Sequence, residues 1–276
     1  MERLQAAIEK ARRERDAGDP APRPPAAASA AAAPPPPRDD TAWDALARIS
    51  FDRRVLRRNR VVTFDGGPEA GPYDMLRTKL LQRAKEHGWR RIAITSPDSH
   101  SGKTTTAANL AFSLARRRDM RVLVLDLDLR RRALGRMLGQ RVVHTMADVL
   151  EGRVRFEEHG CRYEENLAFG LNGAAVRNPA EVLQSRRTAE VLDEIDAALS
   201  PDIVLFDLPP MMATDDSFGF LRNVDCALIL AGAEKTGLDL IDVAERQVAE
   251  LTNVMGIVLN KSRYTDGAYG YEQGYY

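Results

Sequence analysis

Short apolar runs alternate with amphipathic stretches over residues 91–259. Apolar runs of strand length predict five buried strands: Arg91–Thr95, Val122–Leu127, Ile203–Asp207, Ala227–Ala231 and Met255–Leu259. Helical spacing of apolar residues predicts helices between them: Lys103–Arg117, Asn178–Gln184, Thr188–Leu199 and Leu238–Leu251. Near-continuous apolar strands that alternate with helices are typical of a parallel sheet covered on both faces. The predicted fold class is α/β, a three-layer sandwich with a mostly parallel central sheet.

The hydrophobic pattern weakens towards both ends of the chain. Residues 1–16 place Leu4, Ile8 and Ala11 on one side of a short predicted helix, for which a docking helix and a fraying terminus are both open interpretations. The Ala/Pro-rich stretch that follows lacks the large apolar groups that would offset its ordering entropy, so we predict a disordered linker. The chain divides into an N-terminal helix, this linker, a bridging segment, a globular domain and a tail: 1–16, 17–40, 41–71, 72–262 and 263–276.

Two features stand out at the start of the domain. Helical spacing from Met75 to Ala84 predicts a helix that ends near His87, with Gly88 as its stop signal. The bridging segment before it carries a basic cluster: Arg53, Arg54, Arg57, Arg58 and Arg60. A solvated helix face is the default interpretation of this cluster, and attraction to anionic lipid or to an acidic partner is the alternative.

Composition narrows the functional classes. The 276 residues carry 40 Lys+Arg against 40 Asp+Glu, which excludes nucleic-acid binding driven by overall basicity. Two cysteines, Cys161 and Cys226, are too few for a disulfide framework or a four-cysteine zinc site. No apolar run reaches the roughly 18 residues of a membrane span, and no signal-peptide core follows the first residues. We therefore expect a cytoplasmic protein.

The strongest local signal is a small-residue loop between a predicted strand and a predicted helix. The segment Thr95–Thr105 ends in Gly-Lys-Thr and opens the helix, which is the context of a P-loop, although Pro97 stands where the general pattern has glycine. Its backbone N–H groups would surround a β-phosphate, Lys103 would reach the β- and γ-phosphates, and the Thr104 hydroxyl would bind Mg²⁺. The candidate nucleotide-binding residues are Ser99, His100, Ser101, Gly102, Lys103, Thr104 and Thr105.

Carboxylates follow two of the other predicted strands. Asp126 and Asp128 end one apolar run, and Asp207 ends another just before Pro209 and Pro210, a Walker-B-like arrangement. Carboxyl ends of parallel strands meet at the sheet edge where such folds bind ligands. Mg²⁺ prefers oxygen ligands and keeps several waters. The candidate metal ligands are Thr104, Asp126 and Asp207.

These motifs resemble those of the bacterial tyrosine kinases (BY-kinases) of capsule and exopolysaccharide export, whose fold is a P-loop domain of the partition-ATPase type. The loop Thr95–Thr105 is similar to the family's Walker A, Leu125–Arg130 to its Walker A′ and Val204–Pro210 to its Walker B followed by Pro-Pro. Asn178–Leu183 resembles a family loop-helix segment, and Gly256–Asn260 resembles its last strand. The resemblance covers about residues 72–276.

The resemblance implies ATP and Mg²⁺ as cofactors and three catalytic residues: Lys103, Asp126 and Asp128. Asp128 would orient or deprotonate a phenol, while Lys103 neutralises charge on the phosphates. Asp216 matches another family carboxylate. Asn260 would hydrogen-bond the adenine, with an ordinary strand-end cap as the open alternative.

The tail carries five of the seven tyrosines among glycines within the last 13 residues. In the family such a cluster is the autophosphorylation substrate, delivered to a neighbouring subunit; a low-complexity terminus is the alternative. The candidate autophosphorylation sites are Tyr264, Tyr269, Tyr271, Tyr275 and Tyr276.

Two features depart from the family. Ser99 and His100 stand where its loop usually has proline and glycine, so a different backbone conformation is expected at position 100. The oligomerisation motif Glu-x-x-Arg-x-x-Arg aligns with Gly71, Asp74 and Arg77, which puts a closed ring in question.

The predicted function is an ATP-dependent protein-tyrosine autokinase that phosphorylates its own tail and regulates exopolysaccharide or capsule synthesis or export. The expected partner is a membrane-bound activator that recruits the chain to the inner face of the cell membrane, with self-oligomerisation possible and no nucleic acid. One alternative is an ATP-binding regulatory scaffold with little phosphotransfer. Another is a partition-type ATPase, although that class carries a signature lysine where this chain has Asp98.

Overall fold

A computed structural model of the chain describes residues 40–262. The strands β1 to β8 are Ala47–Arg48, Arg91–Thr95, Val122–Asp126, Cys161–Tyr163, Leu167–Gly170, Ile203–Asp207, Cys226–Gly232 and Asn253–Asn260. The helices α1 to α11 are Thr41–Ala45, Arg53–Arg58, Gly71–His87, Lys103–Ala115, Ala133–Leu138, Met146–Leu150, Phe156–His159, Pro179–Gln184, Arg186–Leu199, Asp216–Phe220 and Leu238–Ala249. Short 3₁₀ turns lie at Pro68–Ala70 and Leu221–Asn223. The N-terminal helix, most of the linker and the tail tyrosines lie outside the described residues.

The described strands form one sheet in the order β1-β4-β5-β3-β6-β2-β7-β8. Neighbouring strands run parallel except β4 and β5, which pair antiparallel. Helices join the parallel strands, as right-handed crossovers require. The predicted α/β sandwich with a mostly parallel sheet is thereby confirmed.

Alternate residues of the central strands enter two separate cores. In β3, Leu123 and Leu125 belong to one buried cluster, whereas Val122 and Val124 belong to the other. A sheet with helices on both faces has no solvated face, so its central strands are apolar at nearly every position. Burial on both faces therefore explains the apolar runs of the central strands, whereas β8 lies at the sheet edge and leaves Ile257 and Leu259 exposed. The five predicted strands, and the four helices predicted between them, lie within two residues of their observed bounds.

The first long helix ends as predicted. Helix α3 stops at His87, and Gly88 adopts a left-handed conformation with φ of 72° that terminates it. A glycine takes this conformation without the Cβ clash that penalises other residues. No described helix is both long and apolar enough to cross a membrane.

The bridging segment packs onto the sheet. Strand β1 pairs with β4, and Trp43, Leu46 and Leu56 are at most 2% exposed. The sequence pattern did not indicate this, because β1 has two residues and α2 has six, too few to show a period. The packed domain described by the structure therefore begins at about residue 40.

Candidate nucleotide site

The predicted site residues meet at the carboxyl edge of the central strands. Strands β3, β6 and β2 are neighbours in the sheet, and the register pairs Asp126 directly with Asp207. The loop after β2 and helix α4 lie at the same edge, where Lys103 starts the helix. The topology thus brings together the loop, Lys103 and both strand-end acids, as the sequence predicts.

The loop keeps a phosphate-loop backbone despite its altered sequence. Gly102 has φ of 94° and directly precedes α4. A Cβ at this position would collide with the Asn260 side-chain amide, so glycine is required by both backbone and space. His100 has φ of 69°, in the left-handed region that glycine enters readily and histidine enters at a cost.

The end of β8 braces this loop. The Asn260 Nδ2 donates to the Ser101 carbonyl at 2.8 Å, and its Oδ1 accepts from the Lys261 backbone N–H at 2.8 Å. The Lys261 Nζ donates to the His100 carbonyl at 2.6 Å. The Asn260 side chain thus serves as a strand-end brace, and Lys261 holds the strained residue. No sequence pattern indicated a role for Lys261.

Asp98 braces the loop from inside. Its carboxylate accepts a hydrogen bond from the Ser101 hydroxyl and another from the Thr236 hydroxyl at 3.0 Å. The partition-type alternative predicts a lysine at this position. In this chain the position holds a carboxylate that ties the loop to the end of β7. Sequence inspection missed Thr236 because the contact spans 138 residues.

Lys103 lies inside the loop. It is 8% exposed, and its Nζ donates to the Ser96 hydroxyl at 2.9 Å. Burial lowers the pKa of Lys103, and the carboxylates of Asp207 and Asp128 oppose that change. A single hydrogen bond leaves two of the three ammonium protons without a protein partner on the described loop, so they can bind an anion.

The paired acids are the most unusual groups in the site. Asp126 and Asp207 are both 0% exposed, and none of their four carboxylate oxygens has a hydrogen-bond partner among residues 40–262. Burial raises the pKa of Asp126 well above its usual range, and the Asp207 and Asp128 charges raise it further. Burial also raises the pKa of Asp207, although the nearby Thr104 hydroxyl and Lys103 oppose the rise.

This arrangement fits a hard divalent cation. Buried carboxylate oxygens without partners are costly unless something binds them. Two acids and one hydroxyl, from Asp126, Asp207 and Thr104, suit Mg²⁺, which keeps several waters of its own. In the part of the chain that the structure describes, no three His, Cys, Asp or Glu side chains converge as a metal cage.

Asp128 lies near the pair, since its charge raises the pKa of both acids. It is 6% exposed, and burial raises its pKa while the charges of Arg131 and Lys103 oppose the rise. Asp216, also fully buried, accepts two hydrogen bonds from Arg130, at 2.7 and 3.0 Å. Asp216 therefore fixes the arginine that closes the Walker A′-like segment.

Other predicted features have structural roles. Burial raises the pKa of Cys161 to about 12 and raises that of Cys226 too, so neither thiol is reactive. Asp74 binds Arg116 at 2.8 Å and Arg77 donates to the Ser113 carbonyl at 3.1 Å. The residues aligned with the oligomerisation motif are thus engaged within the chain.

Comparisons with known proteins agree with this geometry. The profile of the CobQ/CobB/MinD/ParA nucleotide binding domain matches residues 92–274. The chain is 29% identical over 207 residues to tyrosine-protein kinase YwqD of Bacillus subtilis, and the match covers 74% of this chain and 84% of YwqD. It is also 29% identical, over 202 residues, to the putative tyrosine-protein kinase EpsB of Ralstonia nicotianae. It is 31% identical to tyrosine-protein kinase wzc of Salmonella typhi over 71% of this chain.

The structural comparison agrees with the fold. The kinase domain of Escherichia coli tyrosine kinase ETK superposes with a TM-score of 0.68, 24% identity, and coverage of 82% of this chain and 94% of that domain. The chain spans 24% to 32% of the length of the larger curated relatives, including 28% for wzc. Accordingly, the chain belongs to the CobQ/CobB/MinD/ParA nucleotide-binding domain family, and the resemblance to bacterial tyrosine kinases that its Walker-like motifs predicted is confirmed.

Proposed function

We propose that this chain is an ATP-dependent protein-tyrosine autokinase that phosphorylates its own C-terminal tyrosine cluster. The observation that carries the proposal is the pair of facing, fully buried acids without partners, Asp126 and Asp207, beside the buried Lys103. Such a set is costly in a folded protein unless a ligand completes it. The names of the relatives favour tyrosine as the acceptor.

The nucleotide and cation would be held by separate groups. Backbone N–H groups from Ser99 to Thr105 would bind the phosphates at the amino end of α4, with Lys103 donating to the β- and γ-phosphates. Thr104, Asp126 and Asp207 would hold Mg²⁺, directly or through water. Bound Mg²⁺ supplies positive charge that offsets the phosphate charge. The Asn260 amide, already bonded to the loop, would lie at the adenine end.

Phosphotransfer then depends more on positioning the tyrosine and the γ-phosphate than on a strong general base. A tail tyrosine oxygen attacks the γ-phosphorus in line, the bond from that phosphorus to the β–γ bridging oxygen breaks, and ADP leaves. The phenol proton passes to the Asp128 carboxylate, which burial makes a better base than an exposed aspartate. Lys103 stabilises the charge that builds on the phosphate oxygens.

The wider role follows from the family resemblance. We place the chain in regulation of exopolysaccharide or capsule synthesis or export, recruited to the membrane by a membrane-bound activator. Residues 72–262 would form the kinase domain, onto which the bridging segment 41–71 packs, and 263–276 would form its substrate tail. Self-association would need contacts other than the usual motif, because Asp74 and Arg77 are engaged within the chain.

The decisive experiment is mass spectrometry of the tail after incubation of the full chain with MgATP and activator. Wild type should gain phosphate on tail tyrosines, Lys103→Met should lose at least about 1000-fold in rate, and Lys85→Met, an exposed lysine on α3, should match wild type. A wild-type tail that stays unmodified while calorimetry shows ATP binding would favour the regulatory scaffold. ATP hydrolysis without tail modification would favour a partition-type ATPase, which the carboxylate of Asp98 argues against.

A further inference from the structure

Two segments of this electroneutral chain hold arginines and no acids. Residues 53–60 contain five arginines, and residues 129–147 contain five more, with no Asp or Glu in either. Over the whole chain, 40 basic residues balance 40 acidic ones. A quarter of all basic residues thus lies in 27 positions that carry no counter-charge of their own.

The fold packs these two segments side by side. The Asn59 Nδ2 at the end of α2 donates to the Met137 carbonyl in α5 at 2.7 Å. The Gln140 Nε2 after α5 donates to the Ser50 carbonyl before α2 at 2.8 Å. Leu56 and Leu134 share one buried cluster beneath the contact. The polar faces of α2 and α5 therefore form one continuous basic region.

Only some of these arginines are neutralised. Arg53 and Arg57 pair with Asp65, and Arg130 pairs with Asp216. The remaining exposed arginines of the two segments make no ion pair with a carboxylate of residues 40–262. We define the arginine face as five of these residues: Arg54, Arg58, Arg132, Arg136 and Arg141.

An exposed apolar residue stands within this region. Val143 is 88% exposed, two residues after Arg141. Its loop is held firmly, because a Cβ on Gly173 would collide with the carbonyl oxygens of residues 142–144, and the Gly173 N–H donates to the His144 carbonyl at 2.9 Å. Arg132 in turn donates to the Gly173 carbonyl at 2.8 Å. Val143 therefore projects from a braced loop.

We propose that the arginine face and Val143 bind the surface of an anionic lipid bilayer directly. Arginines near a negatively charged leaflet each strengthen binding about fivefold, and an apolar side chain that inserts between headgroups adds to this. The five arginines are spread over two helices and a loop instead of lining a groove, which suits a broad anionic plane better than an acidic peptide. The exposed valine would gain nothing from nucleic acid. This inference does not rest on the kinase activity.

The test is sedimentation of the full chain with vesicles, without ATP. Vesicles with 30 mol% phosphatidylserine should bind wild type, pure phosphatidylcholine vesicles should not, and binding should weaken as salt rises. The triple variant Arg54→Gln, Arg58→Gln, Arg136→Gln should bind about 100-fold more weakly. A control triple with the same charge loss elsewhere, Arg155→Gln, Arg186→Gln, Arg246→Gln, should match wild type; its three side chains are 74%, 94% and 67% exposed.

A second variant and a competitor separate the remaining outcomes. Val143→Asp should weaken vesicle binding while the melting temperature stays within a few degrees of wild type. Equal losses in both triple variants would overturn the proposal, because binding would then follow net charge alone. Wild type that binds soluble polyglutamate as tightly as vesicles would assign the arginine face to an acidic peptide instead. If the chain phosphorylates its tail but does not bind vesicles, the membrane proposal is overturned and the kinase proposal stands.

Discussion

Within residues 40–262, acidic side chains are paired at the amino edge of the central sheet and unpaired at its carboxyl edge. At the amino edge, the Asp225 Oδ2 accepts from the backbone N–H groups of Arg90 and Arg91 at 2.7 and 2.8 Å. The Arg91 guanidinium in turn binds Asp193 and Asp196. At the carboxyl edge of the same sheet, where β3 and β6 end, the Asp126 and Asp207 side chains are completely buried without a hydrogen bond among the described residues.

This contrast separates groups that stabilise the fold from groups reserved for a ligand. A paired charge at a strand end contributes to stability by satisfying backbone donors. An unpaired buried acid can only cost stability until a cation or donor arrives. The two sets of acids lie at opposite edges of one sheet but at different strands: Asp225 precedes β7, whereas Asp126 and Asp207 end β3 and β6. We therefore expect substitution of an acid at the carboxyl edge to lower activity and raise stability. Substitution at the amino edge should lower stability and leave activity nearly unchanged.

The largest effect is expected for Asp126→Asn. The amide cannot hold a cation as a carboxylate does, so tail phosphorylation should fall about 1000-fold. The nucleotide-free protein should gain unfolding free energy, since the substitution removes an acid whose pKa burial raises. Kinase assays and urea unfolding measure the two effects. A variant that is both inactive and destabilised would break the contrast.

The next effect concerns pH. Burial raises the pKa of Asp207 to about 7, against about 4 in an unfolded chain. Between these values the folded protein holds a proton that the unfolded chain has lost, so the unfolding free energy contributed by this group falls as pH rises from about 4 to about 7. Urea unfolding of nucleotide-free protein at several pH values should show this slope. Asp207→Asn should make the slope shallower without removing it, because burial also raises the pKa of Asp126; an identical slope in both proteins would contradict the assignment.

An acid away from the site should show the opposite pH dependence. Burial tends to raise the pKa of Asp148, but hydrogen bonds from Thr145 and Arg153 outweigh it and lower the pKa to about 2. Its contribution to stability is complete above about pH 4 and is lost as pH falls towards 2. Asp148→Asn should therefore alter the unfolding curve only below about pH 4, which makes it the matched control for Asp207→Asn.

A smaller effect is expected at the amino edge. Asp225→Ala removes the acceptor of two backbone N–H groups, which should lower the unfolding free energy by about 2 kcal/mol. Activity per folded molecule should stay within about twofold of wild type, since the residue lies at the opposite edge from the loop. Thermal melting and the phosphorylation rate test this together. A large loss of rate in fully folded Asp225→Ala protein would show that the two edges are coupled.

The hydrophobic pattern was sufficient to predict those elements whose burial shows in a short run of neighbouring residues. Strands β2 and β6 were predicted with their observed bounds, because burial on both faces demands continuous apolar runs between polar ends. The acids Asp126 and Asp207 could be identified from their place at the ends of such runs. Their direct pairing in register follows once the two strands are neighbours, which strand order, not sequence, decides.

Tertiary contacts explain what the sequence could not show. Asp98 is braced by Thr236 and His100 by Lys261, and each contact joins residues more than 130 positions apart. Strand β1, with two residues, is too short to show an alternation. The sequence showed the basic cluster of residues 53–60. Its contact with the second basic segment, residues 129–147, depends on how α2 packs on α5.

The smallest effect concerns backbone strain at the two edges. His100 in the loop and Ser200 at the amino edge both have positive φ, 69° and 47°. Glycine should therefore be more stable than alanine at both positions by about 1 kcal/mol, the reverse of the usual order. Only the His100 pair should also differ in nucleotide affinity, because the loop backbone forms the proposed phosphate site, whereas Ser200 ends α9 at the opposite edge of the sheet. Calorimetric titration of the four variants with ADP tests this: equal affinities for His100→Gly and His100→Ala, or a difference at Ser200, would show that strain at the loop does not serve binding.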